Sequence, residues 1–145
     1  MKAVLQRVSR ASVAVDGECI GRIGTGLLVL LGVAAGDTPE QAIWLANKTV
    51  DIRVFADHHK PMNASVLDIG GEILVVSQFT LLADTSRGNR PGFGTAALPA
   101  EAEPLYERYI EELRARGVKL ETGRFGADMQ VELVNDGPVT ILFDR

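Results

Sequence analysis

Leu27-Leu28-Val29-Leu30-Leu31 is apolar at every position, with no alternation. A strand with one face in water is polar at every second residue, so an unbroken run suits a strand buried on both faces. Glu72-Ile73-Leu74-Val75-Val76 is nearly as apolar and reads as another central strand. With 145 residues and a hydrophobic share of 46%, the chain has enough apolar material for one sizeable core. No internal repeat, low-complexity segment or linker divides it, so a single domain over 1–145 is expected.

The remaining elements follow from local signals. Residues 2–8 and 11–15 read as strands, Asp16-Gly17 as a tight hairpin turn and 18–23 as the partner strand. Gly24-Thr25-Gly26 turns the chain into the apolar run. Thr38-Pro39-Glu40-Gln41 starts a helix, with Thr38 as cap, Pro39 in the first turn and Gln41 completing a capping box. Ile43, Ala46 and Val50 share a face of it. Ile52-Arg53-Val54-Phe55 predicts a change to strand, and 57–64 a polar loop. Gly70-Gly71 joins two short strands, of which 72–76 is the second. Residues 83–99 form a long loop rich in Gly, Pro and Arg, a length that often marks function. A second helix runs from about 101 to 116, with Leu105, Tyr109 and Leu113 on one face and Gly117 closing it. Two final strands, about 128–135 and 139–144, flank Asn135-Asp136-Gly137-Pro138. The class is α+β with mixed or antiparallel sheets.

The formal net charge of −4, with 23% charged residues, gives no global signal for nucleic acid. RNA would have to be met through a local basic patch or a small pocket. Cys19 is the single cysteine, which excludes an internal disulfide and a thiolate metal site. The N-terminal residues turn polar too early for a signal sequence, and no apolar run approaches the roughly 20 residues of a membrane helix. A cytoplasmic soluble protein is expected. His58 and His59 lie side by side in the polar loop with Lys60 and Pro61, a setting that supports no catalytic triad. No HExxH, CxxC, GxGxxG or GxxxxGK[ST] pattern occurs, so neither metal nor nucleotide cofactor is implied.

Three segments carry candidate chemistry. Ser77-Gln78-Phe79-Thr80-Leu81 ends an apolar strand in hydroxyls and an amide, where backbone N–H groups leaving the ladder can stabilise an oxyanion. An ordinary polar strand end is the commoner meaning of that pattern. Gly137-Pro138 is either a plain turn or a cis bond that presents backbone oxygens in a fixed direction. Ser86-Arg87-Gly88-Asn89-Arg90-Pro91-Gly92-Phe93 offers arginines and an aromatic for phosphate and base, or is a solvated loop.

Together these segments resemble the D-aminoacyl-tRNA deacylase family, also called D-tyrosyl-tRNA deacylase. The resemblance runs from Gln6-Arg7-Val8-Ser9-Arg10-Ala11-Ser12-Val13 through Gly26–Val33 and Leu74–Leu81. It continues in Thr122-Gly123-Arg124-Phe125, Ala127-Asp128-Met129 and Val134-Asn135-Asp136-Gly137-Pro138-Val139-Thr140, and so covers essentially the whole chain. SQFTL and NxGPVT in this order are highly specific. One departure is visible: Gly92 stands where the family usually has Ser, which puts any RNA contact by that hydroxyl in doubt.

The resemblance implies a fold of two packed mixed or antiparallel sheets, barrel-like, with two main helices outside, and a homodimer. It implies hydrolysis of the ester of D-aminoacyl-tRNA at its 3′-adenosine end, with no cofactor and no metal. Ser77, Gln78, Phe79 and Thr80 would form the catalytic segment. Gly137-Pro138, cis and lent to the partner's site, would hold the substrate's amino group through its carbonyls and leave no space for an L side chain. Arg7 would support that loop, and Phe125 and Met129 would line the pocket. Arg87, Arg90 and Lys60 are candidate RNA contacts. The attacking water would be activated by the RNA's 2′-hydroxyl, since Thr80 as nucleophile has no evident base. Steric exclusion of the L form leaves glycine acceptable, so glycyl-tRNA is an expected substrate. A non-catalytic dimeric RNA-binding module, or a hydrolase of small D-amino-acid esters, are the competing readings.

Overall fold

The computed structural model describes residues 1–145. In chain order it forms β1 (Lys2–Val15), β2 (Glu18–Ile23), β3 (Gly26–Gly32), α1 (Pro39–Asp51), β4 (Glu72–Ser77), a 3-10 turn (Phe79–Leu82), α2 (Pro99–Ala115), β5 (Lys119–Thr122) and β6 (Gln130–Asp144). The strands hydrogen-bond into one six-stranded mixed sheet. β1 is its spine. Along one edge β6 pairs with it antiparallel from Lys2↔Asp144 to Ala14↔Gln130. Along the other edge β3 takes its first half and β2 its second. β4 then lies parallel to β3, and β5 parallel to β4.

The sheet curls barrel-like, and the apolar run of β3 explains how. Leu27, Val29 and Leu31 join Ile73 and Val75 of β4 in a large core beneath α1 and α2. Leu28, Leu74 and Val76 point the other way, into an inner core with Val8, Ala11 and Val13 of β1 and Ile23 of β2. Alternate residues of one strand thus serve two separate cores. The two helices sit outside, as the family resemblance implies.

Asp16 and Gly17 both take positive φ, 52° and 80°, which is the backbone a two-residue hairpin requires. α1 begins at the predicted cap, with the Thr38 N–H donating to Gln41 Oε1 at 2.7 Å. Its buried face is Ala42, Leu45, Ala46, Thr49 and Val50, so Ile43 lies to one side. α2 buries Ala102, Tyr106, Tyr109, Ile110 and Leu113; it starts earlier than predicted, at Pro99.

Several boundaries differ from the sequence reading. Residues 2–8 and 11–15 are one strand, whose register with β6 shifts between Gln6 and Arg10. Ile52–Phe55 adds no strand; Phe55 makes only an isolated bridge with Ala64. Residues 66–70 form turns rather than a strand before Gly71. Asn135–Pro138 does not reverse the chain. Both halves of β6 run along β1 in one direction, Val8↔Asn135 and Gln6↔Thr140, so residues 136–139 bulge out opposite Arg7 alone.

Candidate active site

A cleft of about 560 Å³ opens at the end of β4. Its floor is Val76, Ser77 and Gln78. One wall is Ala96, Ala97 and Leu98 ahead of α2, and the other is Phe125 to Met129 between β5 and β6. Parallel strands end at the same edge, so the chain leaving β4 and the chain leaving β5 are placed side by side. The Gly123 N–H donates to the Val75 carbonyl at 2.8 Å and carries that pairing to the cleft's margin.

The catalytic segment expected from sequence is divided by the structure. Ser77, Gln78 and Phe79 line the cleft, whereas Thr80 is exposed and lies outside the lining. The Gln78 N–H is not free for an oxyanion, because it donates to the Leu31 carbonyl at 2.8 Å. The N–H groups of Phe79 and Thr80 open the 3-10 turn and have no carbonyl within it to bond. The hydroxyl of Thr80 accepts from Gln78 Nε2. Phe79 is 56% exposed and packs edge-on against Phe93, ring centroids 5.0 Å apart, at the cleft mouth.

Phe93, Ala96–Leu98 and Val33 also line the cleft and belong to loops that carry no periodic signal. Their placement rests on backbone pairing: Ala97 N–H to the Val33 carbonyl at 3.0 Å and Ala35 N–H to the Thr95 carbonyl at 2.9 Å. Gly32 is a further position with no sequence signal beyond its place after the apolar run. A Cβ there would meet Leu82 Cδ2 at 2.6 Å and the Gln78 carbonyl at 2.9 Å, so the 3-10 turn rests directly on this glycine.

Gly137 and Pro138 do not line the cleft. They stand at the Arg7 level of the sheet, which aligns with Leu27 and Ile73, whereas the cleft opens at the Leu31–Ser77 level. At the rise of a strand that separation is ~13 Å. The Gly137–Pro138 bond is cis. Arg7 Nε donates to the Asp136 carbonyl at 2.8 Å and its other arm reaches the Val54 carbonyl. Asn135 Oδ1 accepts the Val139 N–H at 2.7 Å and closes the base of the bulge. Any side chain at 137 would meet Val139 Cγ2 at 2.8 Å and the Arg7 guanidinium at 3.0 Å.

Arg87 and Arg90 are exposed on a loop whose neck is Asp84 paired with Gly92, by hydrogen bonds of 2.7 and 2.9 Å. A Cβ on Gly92 would find nothing closer than 3.8 Å, so the usual Ser fits without rearrangement. Lys60, with His58 and His59, lies on an exposed loop folded around Asp57. The Asn63 amide, then the His59 and Lys60 N–H groups, hold that carboxyl below the usual range. No group of three or more His, Cys, Asp or Glu converges at metal-binding spacing. No helix is long and apolar enough to cross a membrane.

A sequence profile described as D-Tyr-tRNA(Tyr) deacylase matches residues 4–144. The chain belongs to that family. Membership makes it a hydrolase acting on aminoacyl-tRNA. A D-aminoacyl-tRNA deacylase of Ruegeria pomeroyi is 61% identical over 144 residues, 99% of each chain. Another, of Roseiflexus castenholzii, is 60% identical over 144 residues, covering 99% of this chain and 92% of that one. Among solved structures, one described as c-Myc DNA Unwinding Element Binding Protein superposes with a TM-score of 0.93 at 44% identity, over 100% of this chain and 99% of the other. A probable eukaryotic D-amino acid tRNA deacylase superposes with a TM-score of 0.85 at 20% identity, over 99% and 98%, which speaks for the fold alone.

Proposed function

We propose that the chain hydrolyses the ester of D-aminoacyl-tRNA in the cleft floored by Ser77 and Gln78, with Gly137-Pro138 of a second copy closing over it. The observation that carries this reading is a separation. The cleft walls and the Gly137–Pro138 corner are both built and held, yet a protomer's own corner lies ~13 Å along the strands from its own cleft.

A second copy has a face to dock on. Val4 pairs with Leu30 on one side and Leu142 on the other, so the three share one face of the sheet. Leu142 is 74% exposed, and Val4 and Leu30 are half-buried. An uncovered apolar row beside the corner favours a partner that brings the corner with it.

The cleft suits a terminal aminoacyl-adenosine. Its volume falls within the usual range for small-ligand sites. Its lining is largely apolar, which strengthens any hydrogen bond made inside it. The Phe79 N–H, which opens the 3-10 turn without a carbonyl partner in it, is the donor for the developing oxyanion, and a single such donor is worth about 3 kcal/mol in other hydrolases. No acid or base touches the Thr80 hydroxyl. The substrate's own 2′-hydroxyl therefore activates the water, and Thr80 is not a covalent nucleophile. The Gly137 and Pro138 carbonyls of the second copy hold the amino group, and the corner fills the space an L side chain needs. Glycine has no such side chain, so glycyl-tRNA is cleaved as well.

The test offers D-tyrosyl-, L-tyrosyl- and glycyl-tRNA beside a free D-tyrosine ester and follows amino-acid release. Release from D-tyrosyl- and glycyl-tRNA alone is expected. Resistance of glycyl-tRNA at high enzyme concentration defeats the steric account, and cleavage of the free ester alone makes the chain a small-ester hydrolase. A protomer that stays single at assay concentration while fully active overturns the shared site. A second reading, nucleic-acid binding without catalysis, draws on the description of the 44% identical structure; binding without release would establish it.

A further inference from the structure

The cleft supplies no positive charge to a polyanionic substrate: Asp128 is the one ionisable side chain in its lining. On the other side of β6 lies a groove of about 620 Å³ lined by Arg10, Ser12, Arg22, Glu132 and their neighbours. Val131 is the one residue that lines both, so β6 separates groove and cleft at that point. At its far end Val134 leads through Asn135 and Asp136 into the Gly137–Pro138 corner.

We propose that this groove is a subsite for the sugar-phosphate backbone of the RNA leading to the 3′ end, with Arg10 and Arg22 as the phosphate-binding pair. The proposal rests on the activity argued above. Sheet register brings the two arginines to one face. Ala11 and Val13 point into the inner core, so Arg10 and Ser12 point outward. Ser12 pairs with Arg22 on one side and with Glu132 on the other, while Arg10 pairs with Val134. Both arginines are exposed, and neither is in an ion pair. The one polar contact of Arg22 is with Cys19 Sγ at 3.9 Å, and Arg10 has none. Arg7, Arg108 and Arg116 are engaged with carboxylates; of the arginines that are not, Arg10 and Arg22 line one groove together. Two unengaged guanidiniums with a hydroxyl between them are the donors a phosphodiester needs. Glu132 is the opposing group: its carboxylate faces the same anion and weakens the site.

Steady-state KM is measured from low to moderate salt for D-tyrosyl-tRNA and for the D-tyrosyl ester of adenosine, which ends before the groove. Arg10→Ala/Arg22→Ala is expected to raise KM for the tRNA about tenfold and to reduce the slope of log KM against log salt by about 1.4–1.8, the release of two phosphate contacts. KM for the adenosine ester stays as in the wild type. Glu132→Gln moves the tRNA KM the other way. An unchanged salt slope and tRNA KM in the double variant overturn the subsite, and so does an equal loss on both substrates. A wild-type chain that cleaves neither substrate overturns the activity, and the subsite with it.

Discussion

Arg7 Nε meets the Asp136 carbonyl at 2.8 Å, directly before the glycine of the Gly137–Pro138 corner. The contact follows from register. Gln6↔Thr140 and Val8↔Asn135 leave residues 136–139 without a strand partner, and Arg7 is the residue opposite them. A half-buried arginine on the spine strand is therefore what orients an otherwise unpaired excursion, with Val54 as the second anchor of its guanidinium.

Replacing Arg7 with alanine removes charge-assisted hydrogen bonds worth about 1.5–3 kcal/mol. The corner keeps its Asn135–Val139 closure but loses its aim. Arg7→Ala is expected to lower kcat/KM for D-tyrosyl-tRNA at least tenfold, about 1.4 kcal/mol in the transition state. The D-to-L selectivity should fall with it. Arg7→Lys should rescue little, since an ammonium cannot span two carbonyls as a planar fork does. Paired measurements on D- and L-tyrosyl-tRNA decide the matter; an unaltered selectivity would detach Arg7 from chiral reading.

Thr80→Ala should retain activity within about tenfold, because no base stands ready to deprotonate this hydroxyl. Losing a true nucleophile costs on the order of 10³-fold or more. Single-turnover release of D-tyrosine from its tRNA separates the two outcomes. A collapse of rate with the fold intact, recovered by Thr80→Ser, would restore the covalent route.

How much of this was legible beforehand depends on the range of the forces involved. The run at Leu27–Leu31, the Asp16-Gly17 hairpin and the Thr38–Gln41 helix start are local signals, and the fold obeys each of them. Asn135–Pro138 carries every local mark of a reversal, but Asn135 and Thr140 both find partners on β1, and long-range pairing overrides the turn. The same holds at Gln78. A strand end suggests free N–H groups, yet β3 continues alongside and Leu31 takes this one. Val33 and Ala96–Leu98 join the cleft through contacts between distant loops, which no periodicity encodes.

The buried Tyr109 hydroxyl bonds Thr49 Oγ1 at 2.7 Å, and burial pushes its pKa well above the ordinary 10.0. Tyr106, whose hydroxyl donates to the Val75 carbonyl, is raised in the same direction and also by burial. In the unfolded chain both phenols ionise near pH 10, while the folded state keeps them neutral. The stabilisation is present below pH 10 and is lost as pH climbs above it. Denaturant midpoints should thus fall between pH 10 and 11.5. Tyr109→Phe should flatten that fall, while at neutral pH it costs about 1 kcal/mol from the lost hydrogen bond. An alkaline dependence identical in the variant would place its origin elsewhere.

Gly123 lies where β5 gives way to the Phe125–Met129 wall, and a Cβ on it would sit 2.6 Å from Met129 Sδ. The obstacle is the flexible end of a thioether rather than backbone, so Gly123→Ala should fold with a stability close to the wild type. What yields is the Met129 side chain, and the cleft is the open space beside it. Narrowing the cleft should weigh on bulky substrates first. Gly123→Ala is expected to depress kcat/KM for D-tyrosyl-tRNA several-fold more than for D-alanyl-tRNA, because a displacement of this kind costs about 1–3 kcal/mol where the space is already filled. Met129→Ala in the same background removes the displaced group and should return the two substrates to parity. Equal losses on both, or no recovery in the double variant, would mean that Met129 does not bound the amino-acid side of the cleft.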